Sequence, residues 1–273
     1  MLLISLLIFS LGLIFGSFVS ALTWRYPRKI SIAKGRSICP NCHHIISWYD
    51  NIPLLSYLLL RGRCRNCHKI ISVRYPLIEL STALGFLVIW VRCCATSFRG
   101  QSYGVSDTAL YLGGLSSQGV HSILVLGAYL TLFLILEIIF IIDLENQVIP
   151  DFFIFAGILV TLFMVQNSLF SNLFAGFACA LFLLLIHLIT RGRGMGLGDV
   201  KFALLGGIVL GPILAIPWLF LAFLTGGATG IILILTGKAK LKSRIAFGPF
   251  LVLALLIVKL WSGKIDALLG LLL

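Results

Sequence analysis

Long runs of apolar residues constrain this chain more than any other feature of its sequence. Each run is close to the roughly 20 residues that an α-helix needs to cross the hydrocarbon core of a bilayer. Apolar residues are nearly continuous within each run and lack the alternation of a transmembrane β-strand. We therefore predict an all-α polytopic membrane protein with about eight transmembrane helices. The predicted spans are 2–22, 76–95, 119–142, 152–168, 170–190, 200–217, 218–236 and 247–271.

Composition agrees with a membrane protein. Hydrophobic residues make up 60% of the 273 residues and charged residues 11%, whereas soluble domains average about 45–50% and about 25%. The first apolar run has no cationic segment before it and no small-residue cleavage site after it, so we predict a retained helix. The predicted domains are a first transmembrane helix at 1–24, a polar insert at 25–75 and a seven-helix membrane domain at 76–273.

Basic residues are in large excess and are unevenly placed. The chain has 21 Lys and Arg against nine Asp and Glu, a formal charge of +12. An excess of this size fits either nucleic acid or anionic lipid as a partner. Because 17 of the 21 cations fall in alternate loops, the pattern favours contact with membrane lipids and no nucleic-acid partner. The positive-inside rule then predicts an N-terminus outside and an insert, 25–75, in the cytoplasm.

The insert contains two CxxC pairs separated by 21 residues. Four thiolates at this spacing satisfy the tetrahedral coordination of Zn²⁺ and leave no open position, which favours a structural metal over a catalytic one. A segment of about 50 residues is also too small for a large hydrophobic core. Two redox-active pairs without metal remain the alternative, and His43, His44 and His68 are possible substitute ligands. The predicted ligands are Cys39, Cys42, Cys64 and Cys67.

Carboxylates near the membrane are few, and an acid inside a span is a functional candidate because its burial is costly. Asp143 ends one apolar run and Asp199 begins another, so both are predicted at the same membrane face. Two converging carboxylates can share a proton and divide the work of general base and general acid, as in aspartic proteolysis. Glu137 lies inside its span and is either a helix–helix hydrogen-bonding group or a supporting partner. The other candidates are Glu79, Glu145 and Asp151.

Glycines precede Asp199 at alternate positions. Gly194, Gly196 and Gly198 allow backbone conformations closed to other residues and a close approach to a substrate strand. In the competing interpretation, this segment is a plain loop before a helix whose N-cap is Asp199.

Several short motifs occur together along most of the chain. They are Gly16-Ser17-Phe18 with Arg25-Tyr26-Pro27; Arg36-Ser37 with Cys39-Pro40 and Cys42; Trp48; Asp50-Asn51-Ile52-Pro53; Leu60-Arg61-Gly62-Arg63-Cys64; Arg74-Tyr75-Pro76 with Glu79; Gly194-Met195-Gly196-Leu197-Gly198-Asp199 with Lys201; and Phe247-Gly248-Pro249-Phe250. Together they closely resemble the motifs of the type IV prepilin peptidases, also called prepilin leader peptidase/N-methyltransferases, of the GxGD aspartic protease group.

The resemblance implies an eight-helix protease of the bacterial inner membrane that removes the short basic leader of prepilins and pseudopilins at the cytoplasmic face. It places Asp143, rather than Asp151, and Asp199 at the two catalytic positions. Gly196, Gly198 and Lys201 would form the active-site loop. Glu79 is then expected to face the cationic leader or to hold an arginine of the insert, and Glu137 to support the site.

The resemblance also implies a second activity and an assembly context. Many members of the family methylate the new N-terminal amine with S-adenosylmethionine, after cleavage between a glycine and a usually Phe-led apolar helix. No glycine-rich Rossmann-type motif is present, so the residues that bind this donor are not identified. The enzyme would serve the pilus or type II secretion assembly machinery indirectly, through its substrates.

Two other classes of protein remain open from the residues alone. An ion-coupled transporter also uses paired carboxylates and a broken helix, although its site lies at the bilayer midplane. An assembly scaffold would use the zinc insert only to bind partners. Loss of either aspartate would leave a scaffold functional, and loss of the insert would be tolerated better by a carrier than by a protease.

Overall fold

The computed structural model describes residues 2–31, 37–98, 117–192, 194–237 and 246–262. The predicted all-helical membrane fold is confirmed: within these ranges, five helices are long and apolar enough to cross a membrane, and two further apolar helices are shorter. The eight α-helices of the described ranges are α1 (Leu2–Arg25), α2 (Leu55–Leu59), α3 (Arg74–Phe98), α4 (Ser117–Asn146), α5 (Asp151–Met164), α6 (Leu169–Ile189), α7 (Leu197–Leu235) and α8 (Gly248–Leu260).

Some sequence predictions lie outside the described residues. The last predicted span, 247–271, is described only as far as residue 262. Several cations of the topology argument also fall outside, namely Lys34, Arg36, Arg99, Arg193, Lys238, Lys240, Lys242, Arg244 and Lys264.

The chain divides into two compact units, Met1–Leu134 and Ile135–Leu273. In the first unit, α1 packs along α3. The two helices approach closely at Gly12. Only glycine fits there, because a Cβ would lie 2.6 Å from the Cα of Ala83. Arg74 joins the ends of the two helices nearest the insert by donating to the Ser20 carbonyl at 3.1 Å and to Oγ1 of Thr23 at 2.7 Å. The insert therefore begins and ends at one side of a tight helix pair.

In the second unit, α7 packs against α5, α6 and α8. It runs from residue 197 to 235 with a kink inside, where separate spans at 200–217 and 218–236 were predicted. The predicted boundary between these spans is wrong, because the break falls at Gly211, whose φ is +75°. A straight helix of 39 residues would measure about 58 Å, roughly twice the thickness of the hydrocarbon core.

Two side chains compensate for the break in α7. Pro212 has no N–H to donate to the carbonyl of Ile208, four residues earlier. The buried amide of Asn172, on α6, donates to that carbonyl at 3.0 Å instead. Lys259, on α8, reaches the carbonyl of Val209 at 3.4 Å. The backbone groups released by the kink are thus satisfied from neighbouring helices, as a low-dielectric environment requires.

Candidate active site and cysteine cluster

Asp143 lies in the last turn of α4, at the end of an apolar run, and is only 4% exposed. Within the described residues, no group donates a hydrogen bond to its Oδ2 atom. The backbone of Gly248, the first residue of α8, lies directly against this oxygen, since a Cβ there would stand 2.5 Å away. A buried carboxylate oxygen without a donor is costly in a folded protein and therefore marks a functional candidate.

Asp199 lies in the first turn of α7 and is 9% exposed. Its Oδ2 accepts a hydrogen bond of 3.1 Å from the backbone N–H of Gly196, which is the N-cap of the helix. The alternative in which Asp199 is itself the N-cap is therefore wrong by three positions, although the carboxylate does stabilise the helix start by the capping-box contact.

The structure brings the two aspartates together. The two carboxyl groups are near enough to interact electrostatically. Ile149, which is buried, packs against both glycines of the site: a Cβ on Gly198 would lie 3.2 Å from the Cβ of Ile149, and a Cβ on Gly248 would lie 3.1 Å from its Cδ1. Ile149 thus holds the start of α7 and the start of α8 beside the end of α4.

The glycines before Asp199 are needed for space, not for unusual backbone angles. Gly196 has φ −79° and ψ 152°, and neither Gly194 nor Gly198 is among the residues with positive φ. The predicted conformational reason is therefore wrong, because any residue can adopt such angles. The predicted close approach to a substrate strand stays a prediction. Within the chain, a Cβ on Gly196 would lie 3.2 Å from Oδ2 of Asp199, and a Cβ on Gly198 would lie 3.2 Å from the Cβ of Ile149.

Two residues at the end of α6 hold this loop and were missed in the sequence. Nδ1 of His187 lies 2.7 Å from the carbonyl oxygen of Met195. Oγ1 of Thr190 accepts from the backbone N–H of Gly194 at 3.2 Å. The sequence feature that could have identified His187 is its place inside an apolar span, where a histidine is unusual unless it has a partner.

Lys201, predicted in the active-site loop, contacts neither Asp143 nor Asp199. It forms an ion pair with Asp151, at 2.7 Å and 2.8 Å from the two carboxylate oxygens, and both side chains are about half exposed. The pair links the first turn of α5 to the first turn of α7. Glu145 is exposed, and Glu137 is buried in α4, one and a half turns before Asp143.

Glu79 lies in the first unit, 8% exposed, on the second turn of α3. It accepts a hydrogen bond of 2.8 Å from the backbone N–H of Leu54, just before α2. The hydrogen-bond partner in the insert is thus a backbone group and not the expected arginine.

The four cysteines of the insert form one cluster, in which all the sulfur atoms lie within 4.8 Å of one another. Each CxxC pair is a tight turn of the same form. In the first, the N–H of Cys39 donates to His44 and the N–H of His43 donates back to Cys39; in the second, Cys64 pairs in the same way with Lys69 and His68. The sequence carries this duplication, because residues 39–47 and 64–72 share the pattern Cys-x-Asn-Cys-His-x-Ile-Ile-Ser.

The cluster has the dimensions of a tetrahedral thiolate site. Zn–S bonds of about 2.3 Å place the sulfurs about 3.8 Å apart, and the Sγ atoms of Cys39 and Cys67 are 3.9 Å apart. The backbone N–H of Lys69 and the amide of Asn41 hydrogen-bond to Cys67 and lower the pKa of its thiol to about 6. A thiolate is the form that binds metal. The neighbouring histidines are exposed, and the cluster does not include them.

A brace between Asp50 and Arg65 lies beside the second CxxC turn. The guanidinium donates to both carboxylate oxygens, with the shortest distance 2.7 Å, and lies over the ring of Tyr49. This hydrogen bonding lowers the pKa of Asp50 and raises the pKa of Arg65. The brace joins the turn at residues 48–51 to the cysteine cluster.

Comparison with known proteins gives consistent matches. Residues 10–93 match the Bacterial Peptidase A24 N-terminal domain, and residues 129–231 match the Type IV leader peptidase family. The chain is 32% identical to the prepilin leader peptidase/N-methyltransferase of Vibrio cholerae, over 79% of this chain and 81% of the relative. It is 30% identical to the Pseudomonas putida protein of the same name, over 94% and 90%.

A third relative carries a different name. The type 4 prepilin-like proteins leader peptide-processing enzyme of Escherichia coli is 34% identical, over 74% of this chain and 75% of the relative. These relatives are enzymes and give the transporter alternative no support. No solved structure matches the chain.

Proposed function

The chain belongs to the type IV leader peptidase family, and from this membership we propose that Asp143 and Asp199 are the catalytic pair of a membrane aspartic endopeptidase. The enzyme cleaves the leader from type IV prepilins and is also an N-methyltransferase. The observation that carries the assignment is the meeting of two buried carboxylates, one of which has an oxygen without a donor in the described chain.

The pair works with one proton between its two carboxyl groups. The ionised group takes a proton from water as the water oxygen bonds to the scissile carbonyl carbon, and the protonated group gives its proton to the carbonyl oxygen. When the C–N bond breaks, the group that took the proton from water gives it to the leaving amine. The other group takes a proton back from a hydroxyl of the tetrahedral intermediate, which releases a carboxylic acid and restores the single shared proton.

The four cysteines would hold Zn²⁺, which stabilises the fold of the insert and supplies no reactive position. S-adenosylmethionine is the methyl donor in this proposal, since it carries a methyl group that an amine can attack once the two are aligned. The described residues do not single out its binding site.

The proposed location is the inner membrane of a bacterium, with the N-terminus outside and both the insert and the aspartates at the cytoplasmic face. The distribution of cations supports this orientation. Prepilins and pseudopilins are the proposed substrates, and the pilus or type II secretion machinery is served through them. Glu137 is proposed to support the structure around the aspartates, and Glu79 to support the start of α2, because both are buried within their helices.

Leader removal from a synthetic prepilin in membranes tests the aspartate pair. We expect Asp143→Asn and Asp199→Asn each to abolish cleavage, because each keeps its shape but loses its acid–base capacity. Glu145→Gln, an exposed acid on the same helix end, is the matched control and should cleave normally. N-terminal mass spectrometry reports both the cut and a product heavier by one methyl group. Cleavage that survives both aspartate substitutions would contradict the proposal.

A further inference from the structure

Helix α2 exposes two large apolar side chains at its end. Leu58 is 70% exposed and Leu59 is 73% exposed. Trp48, 77% exposed, belongs to the short 3-10 helix that packs against α2. Exposed leucines on a short helix with a nearby tryptophan are typical of a segment that lies in the membrane–water interface.

The hydrogen bond of Glu79 fixes the depth of α2. Glu79 is five residues after the start of α3, which corresponds to about 7.5 Å along the helix axis. The N–H of Leu54 bonds to it at 2.8 Å. Since α3 is a candidate membrane span from Arg74, the start of α2 lies inside the end of that span. We therefore expect its leucines to lie near the level of the bilayer surface.

Cations follow α2 directly. The turn after the helix passes through Gly62, whose φ of +67° and contact with Tyr57 favour glycine, and this turn presents Arg61 and Arg63 on either side. In the described chain, neither arginine is paired with an acidic side chain, whereas Arg65 is held by Asp50. The whole segment 25–75 has ten Lys and Arg but a single Asp.

A cleft of about 460 Å³ joins the apolar and basic groups. Leu59 and Leu60 line it together with Arg61, Arg63 and His68, next to the second CxxC turn. Two arginines beside two leucines match the two parts of a phospholipid, a phosphate and the first carbons of an acyl chain.

We propose that α2 and the turn through Gly62 are a docking surface for the anionic bilayer in which the protein resides, with the cleft holding the phosphate of an anionic phospholipid. Leu58 and Leu59 enter the acyl boundary, and Arg61 and Arg63 bind the headgroup. Docking would hold the cysteine cluster at the membrane surface. An apolar peptide, such as the helix of a substrate, is the rival occupant of the same leucines.

Photocrosslinking of the full chain tests the proposal. A photoreactive amino acid replaces Leu59, and the protein is placed in nanodiscs of phosphatidylcholine alone or mixed with phosphatidylglycerol. Mass spectrometry then identifies the adduct. We expect adducts with phosphatidylglycerol in preference to phosphatidylcholine. Arg61→Gln and Arg63→Gln should each lower the yield about fivefold, as expected for one cation at an anionic surface.

The matched control is Lys69→Gln, an exposed cation of the insert that does not line the cleft. Its adduct yield should equal that of the protein in which Arg61 and Arg63 are both unchanged. An equal loss in all three variants would show a diffuse attraction between cations and lipid and would overturn the cleft as the binding site. Equal adduct yields with both lipids would overturn it as well. Adducts with an added prepilin in place of lipid would overturn the membrane as occupant.

Bound zinc in each variant verifies that the insert is folded. Leader cleavage is measured separately in the same samples, so a negative crosslinking result does not contradict the proposed peptidase activity.

Discussion

The two aspartates are buried to a similar degree but have different surroundings. Asp199 has a hydrogen bond from Gly196 and stabilises the start of its helix. Oδ2 of Asp143 lies against the backbone of Gly248 and has no hydrogen-bond donor in the described chain. Substitution of Asp199 therefore tests two functions, capping and chemistry. Asparagine retains an acceptor for Gly196, so the asparagine variant separates them better than alanine does.

Gly248 controls the position of Asp143. A Cβ at Gly248 would stand 2.5 Å from Oδ2 of Asp143, so Gly248→Ala should displace the carboxylate and lower kcat for leader cleavage by about 100-fold, as displacements near 1 Å do. Gly227→Ala is the control, because a Cβ there meets nothing within 4 Å. Cleavage kinetics on folded protein check both, and a fully active Gly248→Ala enzyme would exclude this role.

The brace between Asp50 and Arg65 should make the insert sensitive to acid. The arginine lowers the pKa of Asp50, so the brace stabilises the insert fully above the ordinary Asp value near 4 and is lost as pH falls through the lowered pKa. We expect amide protection of residues 48–65 to exceed that of Asp50→Asn at neutral pH, and the difference to shrink as pH falls below about 4. An unchanged difference across this range would contradict this role of the brace.

At the scale of elements, α7 needs partners because it is broken. Asn172→Leu removes the donor to the Ile208 carbonyl and leaves a buried carbonyl unsatisfied, which costs about 1–3 kcal/mol. We expect a lower midpoint of thermal unfolding in detergent. Gln166→Leu, an exposed amide just before α6, should unfold like the parent. Equal midpoints for all three proteins would mean that the kink is satisfied in another way.

The insert depends on its cysteine cluster in the same manner. Cys39→Ser removes one of four thiolates that lie within 4.8 Å of one another, so bound zinc and the yield of folded insert should fall. Cys179→Ser, which changes a lone buried cysteine of α6, should retain the full metal content. Elemental analysis of the two purified variants decides the matter, and full zinc in Cys39→Ser would exclude the proposed ligand set.

At the scale of the whole molecule, the open question is orientation. The cation distribution predicts that residue 110 is outside and that residues 45 and 190 are in the cytoplasm. Alkaline phosphatase joined after residue 110 should be active, because the enzyme requires export, and fusions after 45 and 190 should be inactive. The opposite pattern would place the insert and the aspartates outside and would contradict the proposed site of leader cleavage.

The sequence by itself determined the features that depend on local pattern. Apolar runs specify helices in a bilayer, because a helix is a way to satisfy the backbone within one segment. The CxxC spacing specified the thiol cluster, and the order of motifs specified the family. Asp143 and Asp199 were recognisable because acids are rare at the ends of apolar runs.

Tertiary structure decided what depends on contacts distant in the chain. The break in α7 lies at Gly211 and not between the predicted spans, since Asn172 and Lys259, from other helices, stabilise it there. The packing of Ile149, the proximity of Gly248 to Asp143 and the anchoring of the loop by His187 likewise join separate helices. Such contacts have no fixed spacing in a sequence, because they follow from how the helices pack and not from the period of any one of them.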